Sequence, residues 1–325
     1  MGVQLVGESP AFRALLDAVY RIATRGSPTI LITGETGTGK ELVARTLHYC
    51  GVRKEFPFVP VNCGALPESL VENELFGHRE GAFTGARRAS NGVLQLAHRG
   101  TLFLDEVDAL PLKAQAALLR FLEDGRFSPL GGAKEEYADV RIIAASNLRL
   151  EEACSAGRFR WDLYYRLDVI ALEVPPLRMR KGDIAMLSCH FLRECVRRYD
   201  LPALDFHPNT LDWFDQYAWP GNIRELQNTV QRASLLCDAD EIVIEAPLGI
   251  ARQTASWPAN EPLPPYRTAR ARAVEAFDRQ YLERLLRSTK GNVTKAASLC
   301  GKERRTLGKL IKRYGLRKDS FGVDS

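Results

Sequence analysis

Over the first 175 residues, short runs of Val, Ile, Leu and Phe alternate with stretches whose apolar positions recur at helical spacing. Thr29-Ile-Leu-Ile-Thr33, Phe58-Val-Pro-Val-Asn62, Thr101-Leu-Phe-Leu-Asp105 and Val140-Arg-Ile-Ile-Ala-Ala145 read as strands, with Val169–Val174 as a fifth. Strands of this composition, separated by helices, predict an α/β fold with a parallel sheet covered on both faces. Pro175-Pro176 ends the pattern. From Asp183 to about Asp238 the reading is purely helical, with stops at Asp200-Leu-Pro202 and Trp219-Pro-Gly221. Ala251–Tyr266 holds four prolines and little periodicity, as a linker does, and a basic helical tail follows. The expected plan is an α/β body over 1–175, a helical subdomain over 176–250, a linker over 251–266 and a tail domain over 267–325.

Charge sharpens this division. From Pro262 to Lys318 there are 16 Lys and Arg against 4 Asp and Glu, a balance of +12. The whole chain carries +5, so the remainder stands near −7. A small basic tail on an acidic body suits a polyanion partner, although a solvated cationic surface would show the same charge. No run of about 18 apolar residues occurs, and nothing near the start resembles a signal peptide, which predicts a cytoplasmic protein with no membrane partner. The 7 cysteines include no CxxC pair, against a disulfide framework or zinc ribbon. Cys189-His190 near Cys195 has no second ligand pair, and buried thiols are expected there.

The chemistry begins at Gly34-Glu35-Thr36-Gly37-Thr38-Gly39-Lys40, between the first strand and a helix read from Glu41. This is the GxxxxGK spacing of a phosphate-binding loop: backbone N–H groups turn inward, and the lysine reaches the terminal phosphates. The general motif continues with Ser or Thr for magnesium; here Glu41 stands in that place. Leu102-Phe-Leu-Asp105-Glu106 is an apolar strand ending in two carboxylates, one suited to a magnesium-bound nucleotide and the next to polarising water. Phosphoryl transfer also calls for arginine. Arg160, Arg166 and Arg224 are candidates, and spacing alone assigns none of them.

Six segments in this order carry a resemblance: GETGTGKE (34–41), ELFGHREGAFTGA (74–86), GTLFLDE (100–106), FRWDLYYRL (159–167), PPLRMRKGDI (175–184) and WPGNIRELQN (219–228). Over about residues 5–247 the chain resembles the AAA+ domain of bacterial enhancer-binding proteins, the activators of sigma-54 RNA polymerase. The layout is similar to short members of the family, which implies a protein without an N-terminal sensory domain before Val6. The resemblance implies an AAA+ P-loop NTPase using ATP and Mg2+. Glu41 is then the family's usual residue. Asp105 would hold the magnesium-bound nucleotide, Glu106 would activate water, and Asn62 would be the switch asparagine that pairs with it. Asn147, with Ser146, matches the sensor I position, Arg224 the sensor II arginine, and Arg160 and Arg166 the trans-acting fingers of a ring, usually a hexamer. Gly81-Ala82-Phe83-Thr84-Gly85-Ala86 would be the sigma-54 contact. Its glycines permit tight turning and Phe83 supplies an apolar tip. Residues 125–139 resemble the family's second insertion.

In the tail, Val274, Phe277, Tyr281 and Leu285 share one face of a helix read over Arg270–Arg287. Asn292–Gly301 and Glu303–Tyr314 then read as helix-turn-helix. Arg304, Arg305 and Thr306 are placed for base edges, and Lys309, Lys312 and Arg313 for phosphates. The tail resembles the Fis-type domain of the same activators, whose dimers bind palindromic double-stranded enhancer DNA. Two rival readings are an AAA+ machine with another client and a repressor with an inactive ATP fold. The loop at Phe83 and the basic tail oppose the first; the intact Lys40, Asp105, Glu106, Arg160 and Arg166 oppose the second. The activating signal, any regulatory protein partner and the target promoters are not encoded in these motifs.

Overall fold

The computed structural model describes residues 5–83, 86, 88–237, 241–244, 278, 281–282, 285–286, 289, 292–302 and 304–313. The chain divides into two compact units, Met1–Ala246 and Pro247–Ser325. The linker at 251–266, Val274, Phe277, Thr84 and Gly85 lie outside the described residues.

In the first unit, β1 (Ile30–Thr33), β2 (Phe58–Asn62), β3 (Thr101–Asp105), β4 (Arg141–Ser146) and β5 (Ala171–Glu173) form one sheet in the order β2-β3-β4-β1-β5. All neighbouring pairs are parallel. Strand periodicity sorts the core into two layers. Leu31, Leu102, Leu104, Ile142 and Ala144 face one layer; Ile30, Ile32, Phe103, Ile143 and Ala145 face the other. The second layer is closed by α1 (Pro10–Thr24) and α2 (Lys40–Tyr49), through Phe12, Leu15, Val19, Val43, Ala44 and Leu47. The first is closed by α3 (Glu68–Phe76), α4 (Leu112–Asp124) and α5 (Trp161–Leu167), through Val71, Leu75, Leu118, Phe121, Leu163 and Leu167. The fifth strand is shorter than the apolar run Val169–Val174. It lies at the sheet edge, where only Leu172 of its three residues is buried.

The lid consists of α6 (Asp183–Tyr199), α7 (Pro208–Gln216) and α8 (Asn222–Leu236) around Leu187, Phe191, Phe214, Trp219, Leu226 and Val230. It is not purely helical, contrary to the expectation. Asp205–Phe206 pairs in parallel with Glu241–Ile242. Two-residue strands carry no readable period; what fixes them is burial of Phe206 and Ile242.

The root of the lid is clasped to the start of the chain. The Asp183 carboxylate accepts from the Glu8 N–H (2.6 Å), the Ser9 N–H (2.8 Å) and the Ser9 hydroxyl (2.8 Å). It also accepts from Arg180 Nε at 2.9 Å, and both side chains of this pair are 1% exposed. Arg180 donates onward to the Val6 carbonyl at 2.8 Å and lies 3.7 Å over the Phe12 ring. Burial works to raise the Asp183 carboxyl, but its donors outweigh burial and hold it below the usual carboxylate range.

In the second unit, α9 (Val293–Leu299) is capped by Asn292, whose side chain accepts from the N–H groups of Thr294 and Lys295. Gly301 turns the chain into α10 (Arg304–Arg313). Ala296, Ala297, Leu307 and Ile311 pack with Leu282 and Leu286.

Candidate functional site

Parallel strands deliver the predicted site residues to one end of the sheet. Register places Asn62 beside Asp105, at the ends of β2 and β3, and Thr33 beside Ser146, at the ends of β1 and β4. The phosphate loop therefore leaves the sheet next to the acidic strand end, at the carboxyl edge where open α/β sheets bind ligands. The helix after the loop begins at Lys40, one residue earlier than read, with Gly39 as a left-handed cap.

Within the loop, Lys40 Nζ donates to the carbonyls of Gly34 (2.8 Å) and Glu35 (3.2 Å), and the Thr38 hydroxyl donates to the Glu35 carbonyl. The N–H groups of Gly37, Gly39 and Lys40 have no partner among the described residues. Three inward donors above a lysine at a helix N-terminus make a phosphate cradle. Burial pulls the Lys40 ammonium below the usual lysine range, with the charges of Asp105, Glu106 and Asp108 opposing it. Burial raises the Asp105 carboxyl, and the charge of Lys40 opposes that shift. A partly buried acid and base that sense each other in this way suit a divalent cation on a bound phosphate chain, with Asp105 as the holding group.

Glu106 adopts a left-handed backbone with φ 53°, unusual for a non-glycine residue, and its carboxylate lies against Gly64. The Asn62 side chain accepts from the Ala65 N–H at 3.0 Å and caps the turn Cys63–Ala65. It makes no hydrogen bond to Glu106 in this structure. Asn147 reaches the phosphate loop through Thr36 Oγ1 at 3.4 Å, while Ser146 is occupied by Asp108 (2.6 Å) and by the backbone of Leu148. Glu41 pairs with Arg45, one helical turn on. The Arg224 guanidinium has no hydrogen-bond partner among the described residues, yet its charge is felt at both Lys40 and Asp105.

Arg160 and Arg166 lie apart from this centre. Arg160 is paired with Asp162 at 2.6 Å, and Arg166 donates to the Leu122 carbonyl at 2.9 Å. Both are exposed, and neither contacts the phosphate loop of its own chain. The buried Gln115, which sequence reading passed over, fixes this segment. It accepts from the Arg160 N–H and donates to the carbonyls of Leu110 and Arg158.

The loop carrying Phe83 rises from the antiparallel pair Gly77–His78 and Ser90–Asn91. The Gly81 N–H donates to the Ala86 carbonyl, which closes the loop. Phe83 is 45% exposed, with its ring 5.0 Å from that of His78. Residues 125–139 lie directly alongside. Their own pair, Arg126–Phe127 with Glu136–Tyr137, presents Leu130, which exchanges backbone hydrogen bonds with Gly77 and Arg79. Gly131 packs on Ala82, and Glu136 pairs with Arg79.

In the tail, Arg304, Arg305, Thr306, Lys309 and Lys312 are exposed along α10; the Arg313 side chain lies outside the described residues. No group of three or more metal-ligating side chains occurs among the described residues. Cys195 is buried as expected, but Cys189 faces solvent on the outer side of α6. No helix among the described residues is long and apolar enough to cross a membrane.

Comparison with known proteins matches three consecutive families: "Sigma-54 interaction domain" over residues 5–173, "AAA+ ATPase lid domain" over 178–260, and "Bacterial regulatory protein, Fis family" over 273–314. The response regulator protein PilR of Pseudomonas aeruginosa is 41% identical over 96% of this chain and 70% of its own length. The DNA-binding transcriptional regulator NtrC of Salmonella typhimurium is 38% identical over 96% and 70%. Among solved structures, NtrX from Brucella abortus in complex with ATP matches with a TM-score of 0.73 at 34% identity, covering 96% of this chain and 70% of that one. The same protein in complex with ADP gives 0.70 at 32% identity, over 97% and 70%.

Proposed function

Because this chain belongs to the family of sigma-54-dependent transcriptional activators, with an AAA+ ATPase domain and a Fis-type DNA-binding tail, we propose that it hydrolyses ATP in a ring of identical subunits to remodel the closed complex of sigma-54 RNA polymerase. The loop Gly81–Ala86 delivers the force, and the tail holds double-stranded enhancer DNA. One observation carries this reading: a single short helix, α3, leads from the Asn62–Glu106 end of the sheet to the loop bearing Phe83. A change at the site of hydrolysis thus has a rigid route to an exposed apolar tip.

In this reading, Gly34 to Gly39 and Lys40 cradle the phosphates, and Glu106 polarises the attacking water, with Asn62 as its switch. Asn147 and Arg224 sense the terminal phosphate from the body and the lid. Asp105 is the residue that would hold Mg2+, which would offset phosphate charge. Arg160 and Arg166 act on the nucleotide of a neighbouring subunit; their placement away from their own phosphate loop supports that role. Glu41 contributes through the first turn of α2. On DNA, Arg304, Arg305 and Thr306 meet base edges, while Lys309, Lys312 and Arg313 meet phosphates.

Lys40→Ala is the direct test. The variant is expected to lose ATP turnover, and promoter opening with it. Turnover within a few-fold of wild type would overturn the site assignment.

A further inference from the structure

The lid does not merely cover the phosphate loop; it grips the loop's outer side. The carboxylate of Glu35, the loop's second residue, accepts from both Arg178 terminal nitrogens at 2.6 and 2.8 Å across 143 residues of sequence. The buried Asn222 amide donates to the same carboxylate at 3.1 Å and to the Thr36 carbonyl at 3.0 Å. Its oxygen accepts from the Leu177 N–H at 2.8 Å, so one side chain joins the loop, the start of α8 and the strand-to-lid connection. The Gly37 carbonyl accepts from the N–H groups of Ile223 and Arg224 at 3.0 and 3.3 Å, an α8 N-terminus closing on the loop.

Two further details show that this contact is built. Asn222 is fully buried with φ 52°, a left-handed conformation that asparagine tolerates and that aims its amide at the loop. Gly37, at φ 80°, has no room for a side chain, because a Cβ there would run into the Gly221 carbonyl. The middle glycine of the motif is therefore required by the lid as well as by the turn. Every bond that reaches the loop ends on one of its carbonyls or on the Glu35 carboxylate. The inward N–H groups that make the cradle are left free.

We propose that Arg178 and Asn222 are positioning residues for the nucleotide: they latch the lid to the carbonyl side of the phosphate loop, fixing the direction of the loop's N–H groups and the place of Arg224. The proposal rests on the reading of this loop as the ATP site. The latch is compatible with a bound phosphate chain because it uses none of the groups that would hold one. Loosening it leaves Asp105, Glu106 and the arginines at 160 and 166 untouched. It therefore changes how tightly the nucleotide is held more than how fast it is hydrolysed.

The test uses the full chain with a fluorescent ADP analogue and steady-state ATP turnover. Arg178→Met is expected to weaken ADP binding and raise KM for ATP about two- to fivefold, the range for a half-exposed ion pair. Maximal turnover per subunit should stay within twofold, and the unfolding midpoint should fall far less than on loss of the buried Asp183 carboxylate. Arg178→Lys should recover part of the affinity. In a double-mutant cycle with Glu35→Gln, the combined loss should be clearly smaller than the sum of the two single losses. Unchanged affinity in Arg178→Met would overturn the latch, and so would additive losses in the cycle. An affinity loss accompanied by an unfolding midpoint lowered as far as by loss of the Asp183 carboxylate, without rescue by lysine, would make Arg178 a folding residue and would also overturn it. Wild-type protein that binds no ADP would instead overturn the nucleotide-site reading on which the latch depends.

Discussion

Two arginine–carboxylate pairs anchor the same six residues of the lid, and they differ in almost everything except chemistry. Arg180–Asp183 is 1% exposed on both sides, carries further donors from Glu8 and Ser9, and is sealed by the Phe12 ring. Arg178–Glu35 is bidentate, and its side chains are 46% and 42% exposed. A buried pair cannot lose one member without stranding the other in a low dielectric, whereas a half-exposed pair exchanges its partner for water. The buried clasp is therefore a folding element, and the exposed latch can open and close within the native state. One short segment thus ties the lid permanently to the start of the chain and reversibly to the phosphate loop.

The largest effect is expected at the clasp. Asp183→Ala should cost about 3–5 kcal/mol in denaturant unfolding of the first unit, because Arg180 is left buried and unpaired. A loss under about 1 kcal/mol would remove the distinction between the two pairs. Asn222→Ala should fall between them, on the order of 1–3 kcal/mol, since a buried peptide N–H and a carbonyl lose their partner. Arg178→Met should be the mildest, within about 1 kcal/mol in stability, with its effect appearing in nucleotide affinity instead.

Acid separates the pairs further. Hydrogen bonding to Arg178 and then Asn222 lowers the Glu35 carboxyl to about 2. A depressed folded-state value means that the carboxylate's contribution is complete above the unfolded value of about 4.3 and is lost as pH falls through the folded one. The stability difference between wild type and Arg178→Met should therefore be flat from neutral pH to about 4.3 and vanish only towards pH 2. Asp183 is likewise depressed, so the far larger gap between wild type and Asp183→Ala should also hold through mild acid and close only at lower pH. Titrating the unfolding midpoints of the three proteins checks both. A latch gap that closed between pH 6 and 5 would contradict the Glu35 assignment.

What the sequence made legible follows the same division. The phosphate loop, Asp105-Glu106 and the Phe83 loop are contiguous strings whose neighbours in sequence are their neighbours in space. The alternation that splits Leu102 and Leu104 from Phe103 is local as well. The latch joins positions 143 residues apart, and the clasp ties Asp183 to Glu8 and Ser9 about 175 residues away; Arg180 meets Asp183 locally, but no local signal marks Glu35, Glu8 or Ser9 as a partner. The roles of Asn222 and Gln115 were hidden for the same reason, since a polar residue on a helical pattern reads as solvated until its burial is known. The strand pair at Phe206 and Ile242 was too short for any periodicity. The expected Asn62–Glu106 hydrogen bond is not formed; the Asn62 oxygen instead caps its own turn.

The central claim is that turnover at Lys40, Asp105 and Glu106 is coupled to the polymerase through the loop at Phe83 and Thr84. The most direct measurement follows ATP turnover and open-complex formation side by side, with sigma-54 holoenzyme on a promoter carrying an upstream binding site, for wild type and Thr84→Ala. Thr84→Ala is expected to hydrolyse ATP at close to the wild-type rate and to open no promoter. If it opened promoters as wild type does, the loop would not be the output of this ATPase and the account would be wrong.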